Sequence, residues 1–100
     1  MEISDVQLKG SYLQVFDSNG KKLSELHSSN GELCGATGSF YVLEKGSYYR
    51  TYDSKSKKIG ELHIANGLFK SASGSTFNLK RGSHIVTYDA HCKKKAERFG

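Results

Sequence analysis

Residues 46–81 read GSYYRTYDSKSKKIGELHIANGLFKSASGSTFNLKR, and laying them over residues 10–45, GSYLQVFDSNGKKLSELHSSNGELCGATGSFYVLEK, matches 16 of 36 positions without a gap. A 36-residue unit therefore repeats, and a period of that size decides architecture before any single residue is considered. The shared positions include Gly10-Ser11-Tyr12 with Gly46-Ser47-Tyr48, Asp17 with Asp53, Lys21-Lys22 with Lys57-Lys58, and Glu25-Leu26-His27 with Glu61-Leu62-His63. They continue through Asn30-Gly31 and Asn66-Gly67, Gly38-Ser39 and Gly74-Ser75, and Leu43 and Leu79. A third copy opens at Gly82-Ser83 and keeps Thr87-Tyr88-Asp89, Lys93-Lys94 and Glu97.

Within 46–81 no stretch holds helical apolar spacing for three turns without Gly or Ser clusters interrupting it. Four short runs of strand-like composition, 47–53, 58–64, 68–72 and 76–80, are separated by turn clusters instead. Asp17-Ser18-Asn19-Gly20 pairs an Asp that can bond its own backbone two residues on with Asn-Gly, the dipeptide suited to tight hairpins. Asp53-Ser54-Lys55-Ser56 keeps the Asp and loses the Gly, which predicts a looser or wider hairpin. Short links throughout predict a meander of neighbouring antiparallel strands.

Alternation places Leu13, Tyr49 and Ile85 on one side of the first strand of each copy. Tyr12, Tyr48 and His84, with Phe16, Tyr52 and Tyr88, fall on the other. The expected core is Leu13, Leu23, Leu26, Leu33 and Leu43 with their counterparts Tyr49, Ile59, Leu62, Phe69 and Leu79. The third copy lacks its last two strands, while residues 3–9 stand where a fourth strand would lie, with Val6 matching Val42. The N-terminal strand is therefore expected to complete the C-terminal repeat and to pair otherwise free sheet edges. This gives a single all-β domain over 1–100 with repeats 10–45, 46–81 and 82–100, the last completed by 1–9. Three copies closed in this way predict a three-fold antiparallel β-prism, with a β-trefoil as the alternative.

One hundred residues suffice for a core without metal or disulfides, and 36% hydrophobic content with 25% charge is that of a folded chain. No run of about 18 apolar residues exists, so no helical membrane span is expected. The start, Met1-Glu2-Ile3-Ser4-Asp5, lacks a basic-then-apolar leader, which predicts a cytoplasmic setting, with a mature secreted chain given a new initiator Met as the alternative. Charge is uneven: residues 1–44 carry three Lys against six acids, net −3, whereas 45–100 carry twelve bases against four acids, net +8.

The layout Ser39-Phe40-Tyr41-Val42-Leu43-Glu44-Lys45-Gly46, followed by Tyr48 to Asp53 and Lys57-Lys58-Ile59, resembles one unit of the β-prism of monocot mannose-binding lectins. That family's sugar motif, Gln-x-Asp-x-Asn-x-Val-x-Tyr, falls on Glu44, Gly46, Tyr48, Arg50 and Tyr52, where Tyr alone is kept. In the third copy it falls on Lys80, Gly82, His84, Val86 and Tyr88, keeping Val and Tyr. The resemblance thus implies an architecture and does not carry mannose recognition with it. The Tyr-Asp-x-x-x-Lys turn is also similar to bacterial tyrosine-aspartate hairpin repeats.

Catalytic readings are weak on residue grounds. Glu25 and His27, like Glu61 and His63, should project to one face of a strand, yet the third copy has Glu97-Arg98-Phe99 there, and a metal needs three or four converging ligands. His91 and Cys92 are adjacent and so point to opposite faces. Asp17, Asp53 and Asp89 are turn residues. Cys34 and Cys92 occupy unrelated repeat positions without CxxC spacing. The expectation is a non-enzymatic binding or protein-interaction module, with no cofactor and no metal. The candidate binding residues are Tyr48, Arg50, Tyr52, Lys57, Lys58, Tyr88, Lys93 and Lys94, flat rings beside positive charge. A protein partner is expected, with a glycan or a polyanion such as nucleic acid as alternatives, no membrane, and a homodimer as one way to bury an aromatic strand.

Overall fold

A computed structural model describes residues 2–99. Eleven strands run in chain order: β1 (Asp5–Lys9), β2 (Tyr12–Phe16), β3 (Lys22–His27), β4 (Glu32–Ala36), β5 (Tyr41–Lys45), β6 (Tyr48–Tyr52), β7 (Lys58–His63), β8 (Leu68–Ser73), β9 (Thr76–Arg81), β10 (His84–Asp89) and β11 (Lys94–Phe99). Single turns of 3-10 helix, Ser28–Asn30 and Ile64–Asn66, lead into β4 and β8. Ile64 therefore leaves the strand assigned to it from sequence. Among the described residues no helix is long and apolar enough to cross a membrane.

The strands form three antiparallel meanders: a first sheet β1-β2-β3, a middle sheet β4-β5-β6-β7 and a last sheet β8-β9-β10-β11. Irregularities in the ladders recur at the repeat spacing. Strand pairing slips between Val15 and Phe16, between Thr51 and Tyr52, and between Thr87 and Tyr88. It slips again between Leu33 and Gly35 and between Phe69 and Ser71.

Alternation along β5 and β6 gives the middle sheet two apolar faces. Tyr41, Leu43 and Tyr52 join Ile3, Val6, Leu13 and Val15 of the first sheet in one buried cluster. Phe40, Val42 and Tyr49 join Phe77, Leu79, Val86 and Tyr88 of the last sheet in a second. The sheets are thus layered, with the middle one covered on both sides. Polar side chains tie the layers together. Ser24 Oγ of the first sheet donates to the Ser54 carbonyl at 2.7 Å and lies 2.8 Å from Ser56 Oγ, which also accepts from the Tyr41 hydroxyl within the middle sheet at 2.7 Å. Thr51 Oγ1 donates to the Ala90 carbonyl at 2.5 Å, while the Tyr49 hydroxyl donates to the Gly67 carbonyl and accepts from the Phe69 N–H.

The outer faces are more polar than the matching inner faces, with Phe16 on the first sheet and Ile85 on the last as apolar exceptions. On the first sheet Asp5 and Gln7 take the places of Tyr41 and Leu43 and are exposed. On the last, Asn78 takes the place of Val42 and accepts from Thr87 Oγ1 at 2.6 Å while donating to Ser71 Oγ at 3.1 Å.

Three sequence expectations are corrected. The N-terminal strand does not complete the C-terminal repeat: β1 pairs with β2, from Asp5↔Phe16 to Lys9↔Tyr12, and β11 pairs with β10. The two-residue turn at Gly10-Ser11, with Gly10 at φ +62°, folds β1 back locally, and Val6 is then consumed by the first cluster. For the same reason the sheets do not share the one interior that a prism closed by the termini requires. Second, the Asp53 hairpin is no wider than its Gly-containing counterpart. Asp53 N–H to the Lys57 carbonyl and Asp17 N–H to the Lys21 carbonyl are both 2.9 Å. The Asp53 carboxylate accepts from the Lys55 and Lys57 N–H groups, which holds Ser56 at φ +63° despite its side chain. Third, Leu33 is 40% exposed instead of core, because the first sheet has no strand above it. Leu13, Leu43, Tyr49 and Leu79 are buried as expected, and Leu23, Leu26, Ile59, Leu62 and Phe69 pack half-buried against the clusters.

Candidate ligand surface

Each sheet ends in the same two-residue hairpin, Lys9-Gly10-Ser11-Tyr12, Lys45-Gly46-Ser47-Tyr48 and Arg81-Gly82-Ser83-His84. The glycines sit at φ +62°, +59° and +59°. That is the first central position of a type II′ turn, whose twist matches the flanking strands. The turn sets a cation directly opposite a ring: Lys9↔Tyr12, Lys45↔Tyr48 and Arg81↔His84. The next strand adds a second ring across the ladder, Tyr12↔His27, Tyr48↔His63 and His84↔Phe99. Side chains directly opposite share a face, so each sheet carries a row of cation, ring and ring.

The ring pairs are edge-to-face in every copy. Tyr12 and His27 have centroids 5.2 Å apart, Tyr48 and His63 5.2 Å, and His84 and Phe99 5.6 Å. Tyr12 is 44% exposed, Tyr48 39% and Phe99 79%. Stacked sheets lie roughly 10 Å apart, which sets the interval between rows. His27 Nδ1 accepts from the Ser29 N–H at 3.1 Å and His63 Nδ1 from the Ala65 N–H at 3.0 Å, capping the 3-10 turns. Those contacts leave the ring hydrogen on Nε2 as a donor. The Lys45 ammonium donates to the Ser29 carbonyl, and a groove of about 450 Å³ lined by Ser28, Ser29, Gly31, Glu44, Lys45 and Gly46 opens beside the second row.

The residues predicted from sequence do not meet in one place. Tyr52 is buried against Tyr41 at 5.4 Å in the first cluster, and Tyr88 against Phe77 at 5.7 Å in the second. Arg50 is half-buried and ion-paired with Glu61 at 3.2 Å. Lys58 shares that carboxylate at 2.9 Å, and Lys94 pairs with Glu97 at 2.5 Å. These neighbours hold the Glu61 and Glu97 carboxyls below the usual range, the lysine hydrogen bond being the largest cause in each. Lys57 and Lys93 are exposed at the opposite end of the strands from Tyr48, beside the Asp53 and Asp89 turns. Of the eight, Tyr48 alone belongs to the ring rows.

The other sequence candidates resolve into structural parts. Glu25 pairs with Lys22 at 3.3 Å instead of with His27. The nearest carboxylate–imidazole approach is His84 to Glu97 at 3.5 Å, in the one copy where it was not expected. Asp89 accepts from the His91 and Lys93 N–H groups, and that pair of bonds lowers its carboxyl pKa. Burial pushes the thiols of Cys34 and Cys92 up to about 11, with Glu44 adding to the first and Asp89 to the second. Among the described residues no three His, Cys, Asp or Glu side chains converge in a metal-holding geometry.

Sequence reasoning missed Tyr12, His27, His63, His84 and Phe99 as partners of Tyr48. The signal was present in the repeat, since ring and His recur 15 residues apart in each copy. Only the pairing of β2 with β3, β6 with β7 and β10 with β11 turns that interval into contact. No protein-family model matches this chain, and no curated protein matches it.

Proposed function

We propose that this protein is a non-catalytic binding module whose ligand is an extended acidic glycan lying across the three rows. The observation that carries the reading is the recurrence of an exposed ring pair beside a cation in every sheet. Flat rings offer stacking surfaces to sugar faces, and Lys9, Lys45 and Arg81 offer charge to acidic groups. Tyr48 and His84 stand where the mannose motif has its Asn, so the rows offer rings at positions where that motif would offer an amide, and the reading rests on stacking and charge and not on mannose recognition. Titration of sulfated and carboxylated polysaccharides tests the reading. Tyr48→Ala should weaken binding about tenfold to a hundredfold, since one stacked ring is worth roughly 1–3 kcal/mol. Unchanged affinity in Tyr12→Ala/Tyr48→Ala would exclude the rows.

A second reading, binding of a polyanion such as single-stranded nucleic acid, is favoured by a different observation. Lys21, Lys57 and Lys93 recur exposed beside the Asp turns at the other end of the stack. If that end is used, replacing these three lysines should flatten the salt dependence by about three phosphate contacts and leave Tyr48→Ala silent.

A further inference from the structure

Adjacent residues of a strand point to opposite faces of its sheet, so the hairpin end of each layer presents two positions in turn along the stack. Val42 and Leu43 lie in different buried clusters, which sets Glu44 on the face toward the last sheet and Lys45 on the face toward the first. By the same alternation Lys9 and Arg81 share the face of Lys45, while Leu8 and Lys80 share that of Glu44. Along the stack the order is Lys9, Leu8, Lys45, Glu44, Arg81, with Lys80 beyond the third row. Between the first row and the third, cations therefore recur once per layer, and what lies midway is apolar or acidic.

Glu44 is reinforced by Glu32, directly opposite it across the ladder, and both are exposed. Among the described residues neither carboxylate takes part in an ion pair. Like charges facing one another across strands destabilise a sheet, so this pair adds nothing to the ladder. Both line the groove beside the second row, where Ser28 and Ser29 supply uncharged polar groups. Lys45, by contrast, is anchored, its ammonium donating to the Ser29 carbonyl. Positive charge along the path of the ligand thus returns at a fixed interval of one layer, about 10 Å.

We infer that the ligand is a linear glycan carrying one acidic group per disaccharide, with an uncharged sugar between. The inference rests on the acidic-glycan reading and specifies its period. Two pyranose rings in an extended chain cover about 10 Å, one interlayer distance. An acidic sugar over each row sets its carboxylate or sulfate on Lys9, Lys45 or Arg81 and its face on Tyr12, Tyr48 or His84. The sugar between meets Leu8 in the first gap and Glu44 with Glu32 in the second. A further acidic group there would lose hydration beside a leucine or face two carboxylates. Three rows take three repeats, so a hexasaccharide fills the surface.

The test compares two hexasaccharides at one ionic strength. One alternates a uronic acid with an N-acetylhexosamine, and the other is a uronic acid at every position. The net charge of +5 would favour the second if charge alone decided, because it carries twice the carboxylates. The alternating chain should instead bind about threefold tighter or more, since each carboxylate held against a gap is penalised. Along a series of two, four and six sugars, each added disaccharide should gain about tenfold as it reaches another row. Glu44→Gln with Glu32→Gln should narrow the preference and leave the alternating chain unchanged, whereas Lys45→Gln should weaken both. A fully acidic chain that binds as tightly overturns the period and leaves the acidic-glycan reading standing. A preference that survives the two glutamine substitutions overturns the charge pattern as its origin. No binding of the alternating chain overturns the inference, and if sulfated and carboxylated polysaccharides are silent too, the acidic-glycan reading falls with it.

Discussion

Gly60→Ala should destabilise the protein, even though helix and strand propensities alone would make it neutral or better. Gly60 faces the last sheet, and the Asp89 turn lies across it. A Cβ there would stand 2.8 Å from the carbonyl carbon of His91, 2.9 Å from its oxygen and 3.1 Å from Cys92 Sγ, against about 3.4 Å or more in ordinary contact. The turn cannot retreat freely. Thr51 Oγ1 holds the Ala90 carbonyl at 2.5 Å, and the Asp89 carboxylate holds two N–H groups at 2.9 and 3.0 Å. Overpacking of this kind costs about 1–3 kcal/mol. The loss of unfolded-state freedom returns about 0.4–1 kcal/mol. The net is about 1–2 kcal/mol, and at about 4–8 °C per kcal/mol for a chain of this size the melting temperature should fall by about 5–15 °C. Calorimetry or thermal circular dichroism reads this directly. Ala96 is the control, because it occupies the same ladder position in the last sheet, opposite Thr87, and is exposed with no turn over it. Ala96→Ser should move stability by less than about 0.5 kcal/mol. A Gly60→Ala protein as stable as the parent would mean that the turn does not rest on the middle sheet, and the layered arrangement would fall with it.

Three further outcomes follow from the same packing. Tyr52→Ala and Tyr88→Ala should each cost about 3–5 kcal/mol in chemical denaturation, whereas Tyr48→Ala should cost about 1 kcal/mol or less; equal losses would mean that the burial pattern is wrong. At pH 8 Cys34 and Cys92 should react with a disulfide reagent more than tenfold slower than unfolded cysteine, since a thiol at about 11 is almost wholly protonated there. Fast labelling in the native state would place both thiols in solvent. Finally, the Asp89 carboxyl is lowered in the fold, so its contribution is present above the unfolded carboxylate pKa of about 3.9 and is lost as pH falls through the lower folded value. Glu61 and Glu97 act in the same sense. Melting temperature should therefore drop on acidification below about pH 4, and Asp89→Asn should shallow that drop; an unchanged slope would remove the turn carboxylate from the account.

What the sequence determined by itself is the local grammar. The 36-residue period is read from the sequence directly, and the Asp turns and the alternation that sets Leu13, Leu43 and Leu79 apart from their polar neighbours rest on residues a few positions away, where chain chemistry dictates geometry. The Gly10 hairpin, by contrast, runs against the sequence expectation, which pairs residues 1–9 with the last repeat. Even Ser56 at a positive φ is a local matter once the Asp53 carboxylate is seen to bind two N–H groups. What only the tertiary structure decided is which faces meet. Alternation shows that Tyr49 and Tyr52 point opposite ways, yet both directions are apolar, so sequence cannot say whether the sheets close around one interior or stack around two. That choice moved Tyr52 and Tyr88 from candidate ligands to separate buried clusters and left the ring pairs of Tyr12, Tyr48 and His84 outside. It also left Leu33 exposed. The side chain is as apolar as Phe69, and the difference between them lies in a strand that the first sheet does not have.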